Sequence, residues 1–169
     1  MSRFDITVVG ISFAVEHRLA ASATRGYVGE PMMTSPTYTT GTSDVNTITV
    51  CTDNTPLIGT SEFKGVLAED MKVNSAGTVI AQRINVRHAI PYATRLRGRV
   101  ETAANIDTDA ELIGVLQDFT RFHLASSAYR FQAGGESDAG AFQIVQGNTT
   151  KGTVDVFVDA RAMRSDVTA

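Results

Sequence analysis

The chain has 169 residues, of which 43% are hydrophobic and 20% are charged, and its formal net charge is −3. This length and composition are typical of one globular domain, and the acidic balance excludes a general electrostatic attraction to nucleic acid or to an anionic membrane. The single cysteine, Cys51, excludes an intramolecular disulfide and a cysteine-rich metal site. No stretch approaches the roughly 20 apolar residues that a membrane-spanning helix needs.

Residues 1–35 differ in pattern from the remainder and are predicted to form an N-terminal arm and linker. Apolar residues alternate with others at its start, and the candidate interface residues among them are Phe4, Ile6, Val8 and Phe13. The phase of this alternation slips at Gly10, which predicts a bulge or a bend. An edge strand with a loop is one interpretation. The other is an extended arm that reaches a neighbouring subunit, because thirty extended residues span up to about 100 Å.

Residues 36–169 are predicted to form a single β-rich domain. Short strands are predicted at 47–52 and 63–67, and Gly65 within the second marks a place where the backbone bends or approaches another closely. The sequence Asn74-Ser75-Ala76-Gly77 is typical of a turn.

From residue 78 to residue 100, apolar and polar residues alternate with a period of two on both sides of Pro91. This period is typical of half-buried strands, and proline fits the turn between them. The pattern therefore predicts a long antiparallel hairpin. Its outer face would carry the remaining candidate interface residues, which are Arg83, Arg87, Arg95, Arg97 and Arg99.

A row of arginines on a sheet needs counter-charges, because like charges opposite one another destabilise strand pairing. Three sources are open: acids of the same chain such as Glu101 and Asp155, carboxylates of another protein subunit, and nucleic acid phosphates. The acidic balance and the absence of aromatic residues between the arginines disfavour nucleic acid. Protein partners are therefore the functional prediction for this face.

The last third of the chain contains the one predicted helix. Thr108 followed by Glu111 forms a capping box, which predicts a short helix at about 108–119, whereas residues 119–125 fit either a helix or a strand. Strands are predicted at 142–146 and 153–162, with a turn at 146–148. The predicted fold is thus mainly β: a small β-barrel or β-sandwich of about six to eight short antiparallel strands, with one short helix and an extended N-terminal arm.

No catalytic motif is present in the sequence. It contains neither a glycine-rich phosphate loop nor a nucleophile elbow. The three histidines, His17, His88 and His123, lie far apart and lack metal-ligand spacing. His88 falls in phase with apolar residues, which predicts a hydrogen-bonded core or turn histidine. We therefore predict no catalytic, cofactor or metal site, and no enzymatic activity.

Four stretches carry a resemblance to a known family. They are Gly29-Glu30-Pro31, the run from Pro56-Leu57-Ile58-Gly59 to Phe63-Lys64-Gly65-Val66, the strand entry Gly77-Thr78-Val79, and the closing strand Val154-Asp155-Val156-Phe157-Val158-Asp159. In these stretches the chain resembles the small head decoration, or cement, proteins of tailed bacteriophages.

The resemblance implies a structural virion protein without catalysis. Such a protein binds the outside of the capsid and stabilises it by bridging neighbouring capsid subunits. Its implied partners are the major capsid protein and further copies of itself, with a trimer favoured, and neither nucleic acid nor a membrane. It would be made in the host cytoplasm and located on the capsid surface.

Two alternatives remain open from the sequence. Another phage structural subunit, from the tail or the fibre base, would share the β-rich pattern without motifs. A carbohydrate-binding β-sandwich is the second, although the absence of tryptophan and the presence of only four tyrosines disfavour it, because sugars stack on exposed aromatic rings.

Overall fold

A computed structural model describes residues 7–19, 25–34, 48–51, 62–102, 119–125, 128–133 and 142–163. The strands in these ranges are β1 (Thr7–Gly10), β2 (Phe13–Leu19), β3 (Pro31–Thr34), β4 (Ile48–Val50), β5 (Phe63–Leu67), β6 (Gln82–His88), β7 (Thr94–Arg99), β8 (Phe119–Ala125), β9 (Ala128–Ala133), β10 (Phe142–Asn148) and β11 (Thr153–Val158). A short 3-10 helix, Ala160–Met163, follows the last strand.

The strands form two antiparallel sheets. One sheet has six strands in the order β1-β7-β11-β10-β8-β9, and the other has five in the order β2-β6-β5-β3-β4. The mainly β fold is confirmed, and because the sheets are not closed into a barrel, it is a sandwich. The described strands exceed the predicted number because residues 7–34 contribute three strands and residues 119–133 contribute two.

The core consists of two clusters of buried apolar side chains. The larger one contains Phe63, Phe131 and Phe142. The rings of Phe63 and Phe142 meet edge to face at 5.2 Å, a favoured aromatic geometry. The smaller cluster includes Met32, Ile48, Leu67, Ile84 and Val86. The inward positions of β6, β7 and β11 are those that the period of two predicted.

The predicted hairpin between β6 and β7 is wrong. β6 pairs with β2 and β5, whereas β7 pairs with β1 and β11, so the two consecutive strands belong to different sheets. The chain turns a corner between them: Ala93 and Thr94 donate backbone hydrogen bonds to the Ile90 carbonyl, and Tyr92 has a φ of 56°. A period of two specifies which face a side chain occupies, but it does not specify which strand is the neighbour.

The described part of residues 1–35 contributes strands to both sheets, which differs from a separate arm and linker. β1 pairs with β7, β2 pairs with β6, and β3 lies between β5 and β4. The chain passes from one sheet to the other after Gly10, whose φ of 101° supplies the bend that the phase slip predicted. Of the two interpretations of this segment, the edge strand is the one that matches β1 and β2, because each lies at the edge of its sheet. Phe4 and Ile6 lie outside the described residues.

Several local predictions can be compared directly with the structure. The strand predicted at 63–67 is confirmed as β5, and residues 119–125 form a strand. The helix predicted from Thr108 lies outside the described residues, apart from its last position, which begins β8. The turn predicted at 146–148 is instead formed by residues 149–152, because Asn148 still pairs with Thr153 in the ladder between β10 and β11.

Candidate interaction surface

The two edge strands β1 and β2 meet the β6–β7 connection at one corner of the sandwich. This corner comprises residues 10–13 and 88–94. Thr94 joins the two parts of this corner. Its hydroxyl accepts a hydrogen bond from the backbone of Ile90 at 2.7 Å and donates one to the Ile11 carbonyl. Because Thr94 is buried and both bonds are made, the corner is held by a satisfied polar contact.

Three large side chains of this corner are exposed to solvent. Ile11 is 66% exposed, Phe13 51% and Tyr92 52%. The Tyr92 hydroxyl donates a hydrogen bond to the buried Asp159 carboxylate at 3.2 Å, which orients the ring. Exposed apolar groups that lie together mark interaction sites, and aromatic residues are enriched in protein interfaces. The corner is therefore the candidate interaction surface.

A pair of histidines lies beside Phe13. His17 of β2 and His88, the last residue of β6, have ring centroids 4.8 Å apart and an interplanar angle of 11°. Their Nε2 atoms are 2.5 Å apart, so one imidazole donates a hydrogen bond to the other. The Phe13 ring centroid lies 5.6 Å from that of His88. The predicted hydrogen bond of His88 is confirmed, but the residue is half-buried at the end of β6 and lies in neither the core nor a turn.

The electrostatic environment keeps His88 neutral at pH 7. Burial of the ring, together with the nearby His17 and Lys64, lowers the pKa of His88 to about 4. Burial acts because a charged imidazole loses its hydration there, and the two neighbours act because they disfavour another positive charge.

The five arginines do not form one face. Arg83 and Arg87 lie on β6 in the five-stranded sheet, whereas the other three lie on β7 in the six-stranded sheet. The single arginine-lined face predicted from the hairpin is therefore wrong. The cause is the same as for the hairpin: the corner at 89–93 sends the two arginine-bearing strands into different sheets.

Within the described residues, acids of the same chain pair with Arg83, Arg95 and Arg97. Arg97 holds Asp155 through two hydrogen bonds, from Nε to Oδ1 at 2.6 Å and from Nη2 to Oδ2 at 2.9 Å. Arg95 lies 3.9 Å from the same carboxylate, and Gln146 donates to it at 2.7 Å. The hydrogen bond from Arg97 lowers the pKa of Asp155, so this buried carboxyl group stays charged.

Arg83 pairs with Glu16 across the β2–β6 ladder at 2.7 Å. Arg87 is exposed, and it forms no ion pair with any residue in the part of the chain that the structure describes. It faces Ala14 across the same ladder, one residue after Phe13. A positive charge therefore lies next to the apolar corner, on the outer face of the sheet.

Only some of the candidate interface residues lie at or beside this corner. Phe13 is in the corner and Arg87 is beside it, whereas Val8 packs against the larger core cluster. Sequence analysis missed Ile11 and Tyr92 as parts of this surface, although the position of Tyr92 directly after Pro91 in a predicted turn is a signal of exposure. It also missed the contact between His17 and His88, since nothing in the pattern paired β2 with β6.

No protein-family model matches the chain, and no curated protein matches it. In the described ranges, no group of three or more His, Cys, Asp or Glu side chains is placed to hold a metal ion. Those ranges also contain no helix of the length and apolarity that crossing a membrane requires.

Proposed function

We propose that the protein is a structural virion protein of a tailed bacteriophage, which binds the outside of the capsid and bridges neighbouring capsid subunits. The observation that carries this proposal is the exposed apolar corner, at which the edge strands of both sheets meet. The resemblance in residues 29–31, 56–66, 77–79 and 154–159 supports it. The proposed partner is the major capsid protein, the proposed assembly is a homotrimer, and the proposed location is the capsid surface.

The corner suits attachment to a protein surface for two physical reasons. Full burial of a Phe or Tyr side chain covers about 150–250 Å². Phe13 and Tyr92 still expose about half of their surface, so both can bury further area at the centre of an interface whose standard size is about 800 Å² per partner. The hydrogen bonds of Thr94 and Tyr92 hold the corner in place, which reduces the entropy lost on binding.

Stabilisation of the shell follows from mass action. A protein that binds the assembled capsid, but not its separated subunits, shifts the equilibrium toward the assembled form. Contact across a joint between two subunits satisfies this condition, because the complete binding surface exists only in the shell. The arm contact predicted from the sequence is not needed for this mechanism, since the corner itself belongs to the folded sandwich.

The test measures binding to capsids assembled from the major capsid protein that is encoded with this chain. Ile11→Ser and Phe13→Ser are expected to weaken binding about 30-fold or more, as truncation of a central interface residue does at about 2 kcal/mol or above. The matched control is Val28→Ser. Val28 is an apolar side chain of similar exposure, 55%, outside the corner. Circular dichroism would verify that each variant is folded.

Two results would contradict the proposal. If Val28→Ser weakens binding as much as Ile11→Ser, the corner is not the attachment surface. If electron micrographs place the labelled protein on tails and not on heads, the protein is a tail or fibre-base subunit.

A further inference from the structure

The hydrogen-bonded pair His17–His88 joins the edge strand β2 to β6. On the other side of β6, Lys64 of β5 contributes a positive charge that acts on His88, and its ammonium group is paired with Glu62. The remaining charged groups of the β2–β6 ladder are Glu16, Arg18, Arg83 and Arg87. Of these, Glu16, Arg83 and Arg87 are exposed. Among the residues that the structure describes, the histidine pair is thus a titratable contact on the buried side of this ladder, with Lys64 as a neighbouring cation.

We propose that the His17–His88 pair is a proton-sensitive contact that holds β2 on the sandwich, and that its protonation in mild acid releases the Phe13 end of β2. A hydrogen bond between two Nε2 atoms requires one of them to be an unprotonated acceptor. If both rings are protonated, each Nε2 carries a hydrogen, so the bond is lost. Two positive rings would then lie with their centroids 4.8 Å apart and with Lys64 nearby.

The position of β2 makes it the strand that responds. β6 is its only hydrogen-bonded neighbour among the described strands, whereas β11, in the middle of the other sheet, is bonded to both β10 and β7. Opening β2 therefore breaks one ladder, and local opening of this kind occurs at lower free energy than global unfolding. The contact would act in this way whatever partner the domain binds.

The direction of the pH effect follows from the two states of His88. Its pKa is about 4 with β2 in place and returns toward the ordinary 6.5 when the ring is exposed. The closed form therefore keeps its full stability above about pH 6.5 and loses it as the pH falls toward 4, because only the open form takes up the proton readily. At pH 5, which is 1.5 units below 6.5, the population of the open form rises roughly 30-fold from His88 alone.

The experiment is hydrogen exchange of backbone amides in the full chain at pH 7.5 and pH 5.0, corrected for intrinsic exchange rates. Protection of β2 is expected to fall roughly 10- to 30-fold at the lower pH, while protection of β11 is unchanged. His88→Gln, which keeps a polar group but cannot titrate, is expected to remove this pH dependence. Arg83→Gln is the matched control: it breaks another β2–β6 contact, so it should lower β2 protection equally at both pH values.

The imidazole titrations of the wild-type protein, followed by NMR, provide a measurement that does not depend on a variant that folds. His88 is expected to titrate well below pH 6. The proposal is overturned if His88 titrates near 6.5, if β2 and β11 lose protection in parallel, or if the pH dependence of β2 persists in His88→Gln.

Discussion

Asp155 illustrates what a single residue in a strand pattern does and does not reveal. Alternation in β11 places it on the face opposite Val154 and Val156, and the structure agrees. Alternation would also predict exposure, yet Asp155 is only 2% exposed. Its burial results from Arg97 and Gln146, which lie on neighbouring strands and cover it. The face of a residue is local information, whereas its burial depends on partners that the local pattern does not specify.

Asp155→Asn is expected to lower the free energy of unfolding by about 2 kcal/mol, because it removes a buried charged acceptor from three donors. Since the pKa of Asp155 is lowered in the folded state, its contribution is present above about pH 4 and is lost as the pH falls further. Urea unfolding at pH 7 and at pH 3 measures both effects. The difference between wild type and variant should shrink at the lower pH.

The matched control for this change is Glu16→Gln. Glu16 makes an ion pair of similar length with Arg83, but both side chains are exposed, so its removal should change stability by less than about 0.5 kcal/mol. Equal effects of the two variants would mean that burial does not set the strength of the Asp155 contact.

At the scale of the strands, the sequence predicts a close backbone approach at Gly65. The structure of β5 confirms this approach. A β-carbon built on Gly65 would lie 1.9 Å from the Arg87 carbonyl oxygen, and the residue has a φ of 143°. The sequence thus predicted the strand and its special residue. It did not predict that β6 is the strand approached, because a glycine signals a close contact without naming the partner.

Gly65→Ala is expected to lower the free energy of unfolding by at least about 3 kcal/mol, because the added methyl group overlaps backbone atoms of β6 that belong to a ladder. Gly77→Ala provides the comparison. Gly77 also has a positive φ, 79°, but nothing lies within 4 Å of its added β-carbon, so only conformational strain of about 1 kcal/mol is expected. Similar midpoints of urea unfolding for the two variants would show that φ, and not the contact with Arg87, explains the glycine.

At the scale of the whole molecule, the fold class could be predicted from the sequence, but the connection between the sheets could not. Repeated short strands with turns between them predict a two-layer β structure. The two corners, one after Gly10 and one at 89–93, both move the chain from one sheet to the other. A tight hairpin and a corner between sheets have similar local sequences. The candidate surface at these corners was therefore missed, although one of its residues, Phe13, was named.

The same topology changes the expected result of truncation. Deletion of residues 1–19 removes β1 and β2, and with them the neighbours that cover one side of β7 and β6. It also removes the buried His17 and leaves two unpaired strand edges, which promote aggregation. We expect this truncated chain to lose its cooperative thermal transition or to aggregate.

Deletion of residues 1–6 retains every described strand pair and should leave the melting temperature within about 5 °C of wild type. Thermal unfolding followed by circular dichroism, with light scattering, separates these outcomes. If the chain without residues 1–19 unfolds cooperatively at the wild-type temperature, then β1 and β2 are a detachable arm and not structural strands of the sandwich.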